Sequence, residues 1–202
     1  MMHERYYGRA AQASSPERSG GPGCRASLKP LRLLAFALLV LLSGGAGCGG
    51  PTFSQGIFDD GVVRYRVGDP GPGWQRVEVA EDASALVFHH DELAATVSIN
   101  ATCKEYEDVP EEALLNHLLF GMRERVFRVD ETITLDGRGA VHAVVDVQLD
   151  GVPVTLEIYL VRKDGCVYDM TLIASREAFE RARGALARLT ARFHVLRTTI
   201  DD

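Results

Sequence analysis

The sequence has no excess of basic charge, few cysteines and no long hydrophobic run. Its 202 residues carry 22 Lys and Arg against 28 Asp and Glu, so the net charge of −6 argues against a nucleic-acid partner. None of the short motifs typical of P-loop, dinucleotide-binding, metalloprotease or hydrolase proteins occurs. We therefore predict a protein without catalytic residues, bound metal or cofactor.

The longest apolar run, Leu33–Leu42, has the features of a secretory signal peptide. Arg25, Lys29 and Arg32 precede it, and a stretch of small residues follows it up to Cys48. Ten helical residues span only about half of a ~30 Å hydrocarbon core, so a membrane-spanning helix is not expected. We predict a signal peptide over residues 1–47, and its removal leaves a chain with a net charge of −10.

Ala46-Gly47-Cys48 resembles the cleavage site of bacterial lipoproteins, in which the cysteine is acylated and becomes the first mature residue. The resemblance implies that Cys48 anchors the chain to a lipid bilayer in the bacterial cell envelope. Gly49 after this cysteine, rather than Asp, resembles outer-membrane more than inner-membrane lipoproteins, with the domain in the periplasm or at the surface. Cleavage after Ala46 by the ordinary signal peptidase is the alternative.

The remaining cysteines support export. Cys24 leaves with the signal peptide and Cys48 carries the lipid, so Cys103 and Cys166 are left as one pair. An even count in an oxidising compartment favours a disulfide bond, and each residue falls on the apolar side of a predicted strand. Two buried free thiols are the alternative.

Hydrophobic periodicity predicts an α+β fold, an antiparallel β-sheet packed with helices, in a single domain after the signal peptide. Alternating residues predict strands, and helical spacing of Leu114 to Met122 and of Phe179 to Phe193 predicts two helices. We expect a lipidated Cys48 and flexible tether over 48–60, the domain over 61–197 and a tail over 198–202. The predicted strands are 62–67, 75–79, 85–89, 93–103 and a three-stranded meander within 140–174, and the predicted helices are 109–123, with an Asp108 cap, and 176–193, with a Ser175 cap.

The register of the meander follows from its turns. Asp150-Gly151 predicts a two-residue hairpin that places His142 opposite Tyr159. A three-residue turn over 163–165 keeps the apolar residues of the next strand on the same face and places Tyr159 opposite Asp169. His142, Tyr159 and Asp169 then form a polar row across three strands, a candidate ligand-binding face.

Three other features of the sequence suggest alternative functions. His89-His90-Asp91-Glu92 offers metal ligands that His117 or His194 would complete. A catalytic role for the polar row would make the protein an envelope hydrolase, for which we find no nucleophile. The arginines of the C-terminal helix would dock lipid headgroups or an acidic partner, or form a solvated surface.

The order of strands and helices resembles the PsbP-like family of α/β sandwiches. The phrases Leu135–Arg138, Leu149–Pro153 and Lys163–Asp169 are similar to uncharacterised exported lipoproteins of delta-proteobacterial type. Members of this fold act as binding or assembly subunits, so the resemblance implies a non-catalytic module that binds an envelope protein. A periplasmic protein that binds a small ligand or a metal through the polar face is the alternative.

Overall fold

A computed structural model of the chain describes residues 50–79, 84–103 and 109–199, all within the unit Cys48–Asp202. The cleavage site, Cys48 and the Asp108 cap lie outside the described residues. No helix in the described part is long and apolar enough to cross a membrane. The helices are α1 (Glu111–Leu118) and α2 (Phe179–Thr190), and the strands are β1 (Thr52–Ser54), β2 (Ile57–Asp59), β3 (Val63–Arg66), β4 (Gln75–Val77), β5 (Ala85–His90), β6 (Ala95–Cys103), β7 (Arg123–Leu135), β8 (Arg138–Leu149), β9 (Val152–Lys163), β10 (Cys166–Ser175) and β11 (His194–Thr198).

Seven strands form one antiparallel sheet in the order β4-β5-β6-β10-β9-β8-β7. Its centre contains the predicted meander β8-β9-β10. Asp150 and Gly151 both have positive φ in the turn between β8 and β9, as a type I′ hairpin requires. Ala143 lies opposite Ile158, which confirms the predicted register of this hairpin.

The turn between β9 and β10 differs from our expectation. Asp164-Gly165 forms a two-residue turn, so the predicted three-residue turn is wrong and the register moves by one residue. Tyr159 therefore lies opposite Met170, and Asp169 lies opposite Leu160. The error arises because we assumed that both strands place their apolar residues on the same face of the sheet.

Helices cover both faces of the large sheet. On one face, Leu156 and Ile158 of β9 pack in a cluster with Leu115 and Leu119, at the C-terminal part of α1 and just after it. On the other face, residues of β6 and β10, among them Met170, pack with α2. Because both faces are buried, β9 and β10 can direct their apolar residues to opposite sides without exposing either set to water.

Four strands form a second sheet in the order β1-β2-β3-β11. The predicted tether over 48–60 is wrong from Thr52 onward, because β1 and β2 form a hairpin there. Phe58 of β2 is fully buried and stacks on Tyr65 with 4.9 Å between ring centroids. The sequence pattern missed this hairpin because Gly, Ser and Asp dominate the segment and leave few apolar positions to count.

The ends of the predicted helices are also corrected. Helix α1 is shorter than the expected 109–123, and β7, which we did not predict, begins at Arg123. Helix α2 is shorter than 176–193, and the Ser175 hydroxyl accepts a hydrogen bond from the Ala178 amide in the turn that precedes the helix. Strand β11 occupies most of the segment after α2 and extends the fold to Thr198, the first residue of the predicted tail.

Cys103 and Cys166 form the predicted disulfide bond. They lie directly opposite each other on β6 and β10, at the edge of the core that α2 covers. The bond closes a loop with a sequence separation of 63. In the chain-entropy model such a crosslink stabilises the folded state by about 4 kcal/mol.

Replacing both cysteines by alanine is expected to lower the free energy of unfolding by about 4 kcal/mol, because the unfolded chain regains the freedom of that loop. Urea unfolding of the oxidised protein and of the double variant measures the difference. Reduced wild-type protein is the control and should unfold close to the variant. Thiol labelling of Cys103 and Cys166 in the unreduced protein would contradict the bond.

Asp136 joins three parts of the fold. It has a φ of 48° in the turn between β7 and β8, and its carboxylate accepts hydrogen bonds from Lys163 Nζ at 2.6 Å and the Val195 amide at 2.9 Å. His194 Nδ1 lies 2.5 Å from its other oxygen. Burial alone raises the pKa of Asp136, but these hydrogen bonds outweigh burial and hold the pKa below its ordinary value.

Asp136→Asn is expected to destabilise the protein by about 2 kcal/mol at pH 7, because hydrogen bonds to a charged acceptor are lost. The pKa of Asp136 is lower in the folded protein than in the unfolded chain. Its carboxylate therefore stabilises the fold fully above the unfolded-chain pKa, and this stabilisation is lost as the pH falls through the folded-state pKa. The effect of the substitution should therefore shrink in acid. Urea unfolding at pH 7 and pH 3 measures it, with Asp150→Asn, an exposed residue of similar φ, as the control.

Candidate functional site

His142 and Tyr159 form the centre of the predicted polar row. They lie opposite each other on β8 and β9, as expected, and their rings stack with 4.4 Å between centroids and an interplanar angle of 11°. Both side chains face α2. Burial and the neighbouring Glu157 carboxylate raise the pKa of Tyr159 to about 12, so its hydroxyl is a proton donor at neutral pH.

Glu157 contacts both His142 and Tyr159. Its side chain is only 3% exposed, and its Oε1 lies 3.0 Å from His142 Nε2 and 3.3 Å from the Tyr159 hydroxyl. The other ring nitrogen of His142, Nδ1, lies 2.9 Å from Oε1 of Glu131 on β7. The imidazole is thus held between two carboxylates.

Arg183 of α2 contacts this group from the helix side. Its guanidinium donates to Oε1 of Glu157 at 3.3 Å and lies 5.4 Å from the ring centroid of Phe179. Burial alone lowers the pKa of Arg183, but the Glu157 carboxylate raises it above its ordinary value. We name His142, Tyr159, Glu157, Glu131 and Arg183 the polar cluster; it joins three strands to a helix.

Three members of the polar cluster were not among our site residues. Glu157 lies on the same face of the sheet as His142 and Tyr159, two residues before Tyr159 on β9. The alternation of residues along this strand could therefore have identified it. Glu131 lies on β7, a strand that we did not predict, and Arg183 comes from a helix whose arginines we treated as a solvated or docking surface. Arg188 of the same helix contacts the loop before β4, where its Nε donates to the Pro70 carbonyl at 3.0 Å.

Asp169, the third predicted member of the row, lies on the opposite face of the sheet. The register of β10 directs it away from α2, and its Oδ1 accepts a hydrogen bond from Asn100 Nδ2 at 2.7 Å. Burial raises the pKa of Asp169 above its ordinary value, and the Asn100 hydrogen bond opposes this rise only in part. The predicted site of His142, Tyr159 and Asp169 is therefore not one site.

Asp169 lines a cavity of about 280 Å³ between α1 and the large sheet, which we name the Asp169 cavity. Its apolar wall consists of Leu114 and Leu118, Leu160 of β9 and Val167 of β10. Asn100, Thr102 and His117 add polar groups. An apolar cavity with a few convergent polar groups and a carboxyl of perturbed pKa has the general character of a small-molecule site.

The alternative metal site at His89–Glu92 does not assemble in the described residues. His89 Nδ1 lies 3.0 Å from the Thr96 hydroxyl, and the His90 ring packs edge-on against Trp74 at 5.5 Å. Within the part of the chain that the structure describes, no three His, Cys, Asp or Glu residues form a group that could hold a metal ion.

Strand β7 forms one edge of the large sheet, and its outer side pairs with no strand among the described residues. Exposed apolar side chains surround its N-terminal end. Phe120 is 84% exposed and precedes β7, Val126 on β7 is 60% exposed, and Val152, the first residue of β9 at the same end of the sheet, is 58% exposed. Register shifts interrupt β7 before Val129, and the pairing with β8 is regular from there to Leu135.

No protein-family model matches the chain, and no curated protein matches it. Among solved structures, LpqN of Mycobacterium tuberculosis, described as involved in cell envelope biogenesis, has a TM-score of 0.53 at 12% identity, over 73% of this chain and 90% of LpqN. PA94 of Pseudomonas aeruginosa, of unknown function, has a TM-score of 0.48 at 16% identity, over 62% and 99% of the two chains. Cyanobacterial PsbP of Synechocystis has a TM-score of 0.44 at 15% identity, over 76% and 96%.

The similarity to LpqN shows the fold alone. The predicted α+β class is confirmed: the described residues form antiparallel sheets with two α-helices, and a structure of the same general fold is known. These three solved structures are not known enzymes.

Arg183→Ala is expected to lower the free energy of unfolding by about 1–2 kcal/mol, because the buried Glu157 carboxylate loses one of its partners. The arginine side chain is 42% exposed, so the loss should be smaller than for a fully buried pair. Arg181→Ala, on an exposed position of α2, is the matched control and should be nearly neutral. Equal stability of the two variants in urea unfolding would contradict the role of Arg183.

Proposed function

We propose that this protein is a bacterial envelope lipoprotein with one PsbP-like α/β sandwich domain that acts as a non-catalytic binding or assembly module. Acylated Cys48 would anchor it in the lipid bilayer of the outer rather than the inner membrane. The domain would lie in the periplasm or at the surface. The anchor rests on the sequence, namely the run Leu33–Leu42 and the small residues before Cys48.

The observation that carries the binding role is the exposed edge strand β7. An unpaired edge presents backbone N–H and C=O groups that can accept a further strand from another chain. The regular part, Val129–Leu135, has the sequence VDETITL, rich in residues that favour strands. Exposed Phe120 and Val126 lie just before this strand and in its N-terminal part, and they offer an apolar contact that is open to water.

The occupant that this edge fits is an extended, basic segment of another envelope protein. Residues 48–202 have a net charge of −10. The regular part of β7 contains Asp130 and Glu131 and no basic residue, whereas the three arginines of β7 lie before it. A basic strand would therefore meet a complementary charge as it pairs. Apolar residues at one end of that segment would pack against Phe120 and Val126.

The test is an affinity pull-down from native membranes with the full-length wild-type protein, a Cys48→Ser form and a Phe120→Lys/Val126→Lys form. The lysines remove apolar contacts and repel a basic segment. We expect an envelope protein that co-purifies with the wild type and is lost from both variants. Val62→Lys/Leu196→Lys, at exposed positions just before β3 and on β11, is the matched control and should keep the partner.

Hydrogen–deuterium exchange then locates the contact. The partner should slow exchange in Val129–Leu135, because amides on the outer side of β7 become hydrogen-bonded. Loss of the partner from the control variant as well, or protection confined to other strands, would overturn the edge as the docking site. A second copy of this chain as the only companion, measured by light scattering, would overturn the heterologous partner.

A further inference from the structure

The Asp169 cavity lies away from the edge strand β7 and is not used by the proposed docking. It lies over β6, β10 and β9, three strands at the centre of the large sheet, and α1 forms its outer wall. A ligand there would contact none of the exposed residues that surround β7. The two sites can therefore be tested separately.

The wall of the cavity is suited to an apolar body. Leu114 and Leu118 face it from the helix side, and Leu160 and Val167 face it from the sheet. The volume of about 280 Å³ is several times the share of liquid volume that one water molecule occupies, roughly 30 Å³. A small organic group fits this space and would pack against these four side chains.

One end of the cavity carries the Asp169 carboxyl group, which meets no lysine or arginine among the described residues that line the cavity. Among the described residues, Asp169 accepts a hydrogen bond from Asn100, whose side-chain amide is neutral. No lysine or arginine is among the described residues that line the cavity; His117 is the one other titratable group there. An ionised carboxylate in such surroundings is stabilised by a ligand that brings a positive charge and N–H donors.

We propose that the Asp169 cavity binds a small organic amine, whose ammonium group pairs with the Asp169 carboxylate while its apolar body packs against Leu114, Leu118, Leu160 and Val167. The Asn100 amide holds the carboxylate oxygen Oδ1 in place from the side of β6. A neutral or anionic molecule of the same shape would fill the apolar part and leave the carboxylate without its partner.

The test compares three probes of equal chain length, hexylamine, hexanol and hexanoate, by isothermal titration calorimetry with the full chain in detergent. We expect hexylamine to bind at least tenfold more tightly than hexanol, a difference of about 1.4 kcal/mol, and hexanoate to bind least. Asp169→Asn should abolish the preference for the amine and leave hexanol binding unchanged. Asp150→Asn, an exposed residue outside the cavity, is the matched control.

A second variant keeps the proposal testable if Asp169→Asn fails to fold. Leu118→Phe fills the cavity from α1 and should weaken both hexylamine and hexanol. Equal binding of amine and alcohol to the wild type, an unchanged preference in Asp169→Asn, or no binding of any probe would each overturn the proposal. Loss of the protein partner with intact amine binding would instead reject the docking edge alone.

Discussion

The burial of the meander on both faces is the constraint on which the rest of the structure depends. Helix α1 covers one face and α2 covers the other, so the buried residues of β9 and β10 lie under one helix or the other. Alternation along a strand then decides which core a side chain joins. Glu157 and Leu156 are both buried, yet they lie in different layers because they are neighbours on β9.

This two-sided burial explains which parts of the fold could be predicted. The hairpin at Asp150-Gly151 has one regular pattern and one turn type, and the register derived from it is correct. The turn at Asp164-Gly165 could not be fixed in the same way, because the rule of one apolar face selects the wrong register when both faces are apolar. Strand β7 could not be predicted from alternation because it is an exposed edge with two register shifts, so its residues show no buried face.

A sheet that is buried on both faces can also bury a charged side chain, as the polar cluster shows. Glu157 brings a carboxylate under α2, where an unpaired charge would be strongly unfavourable. His142, Tyr159 and Arg183 all contact Oε1 of Glu157 and offset part of this cost, whereas Oε2 is buried without a hydrogen-bond partner among the described residues. Sequence spacing brought out only the pair on β8 and β9, since a contact from a helix depends on packing that the spacing of residues does not encode. The cluster joins α2 to the sheet through the contact between Arg183 and Glu157.

Asp169 differs from Glu157 in the charge of its neighbours, and this difference matters for binding. Both are carboxyl groups on the central strands of one sheet, but Glu157 faces a histidine and an arginine, whereas Asp169 faces a neutral amide and a cavity. The one carboxylate is already paired within the fold, and the other has space beside it for a charge from outside. Because the two faces of the sheet are separate cores, a ligand at Asp169 need not disturb the polar cluster or the edge strand. The same sheet can thus hold α2 rigidly on one side and keep a binding cavity under α1 on the other.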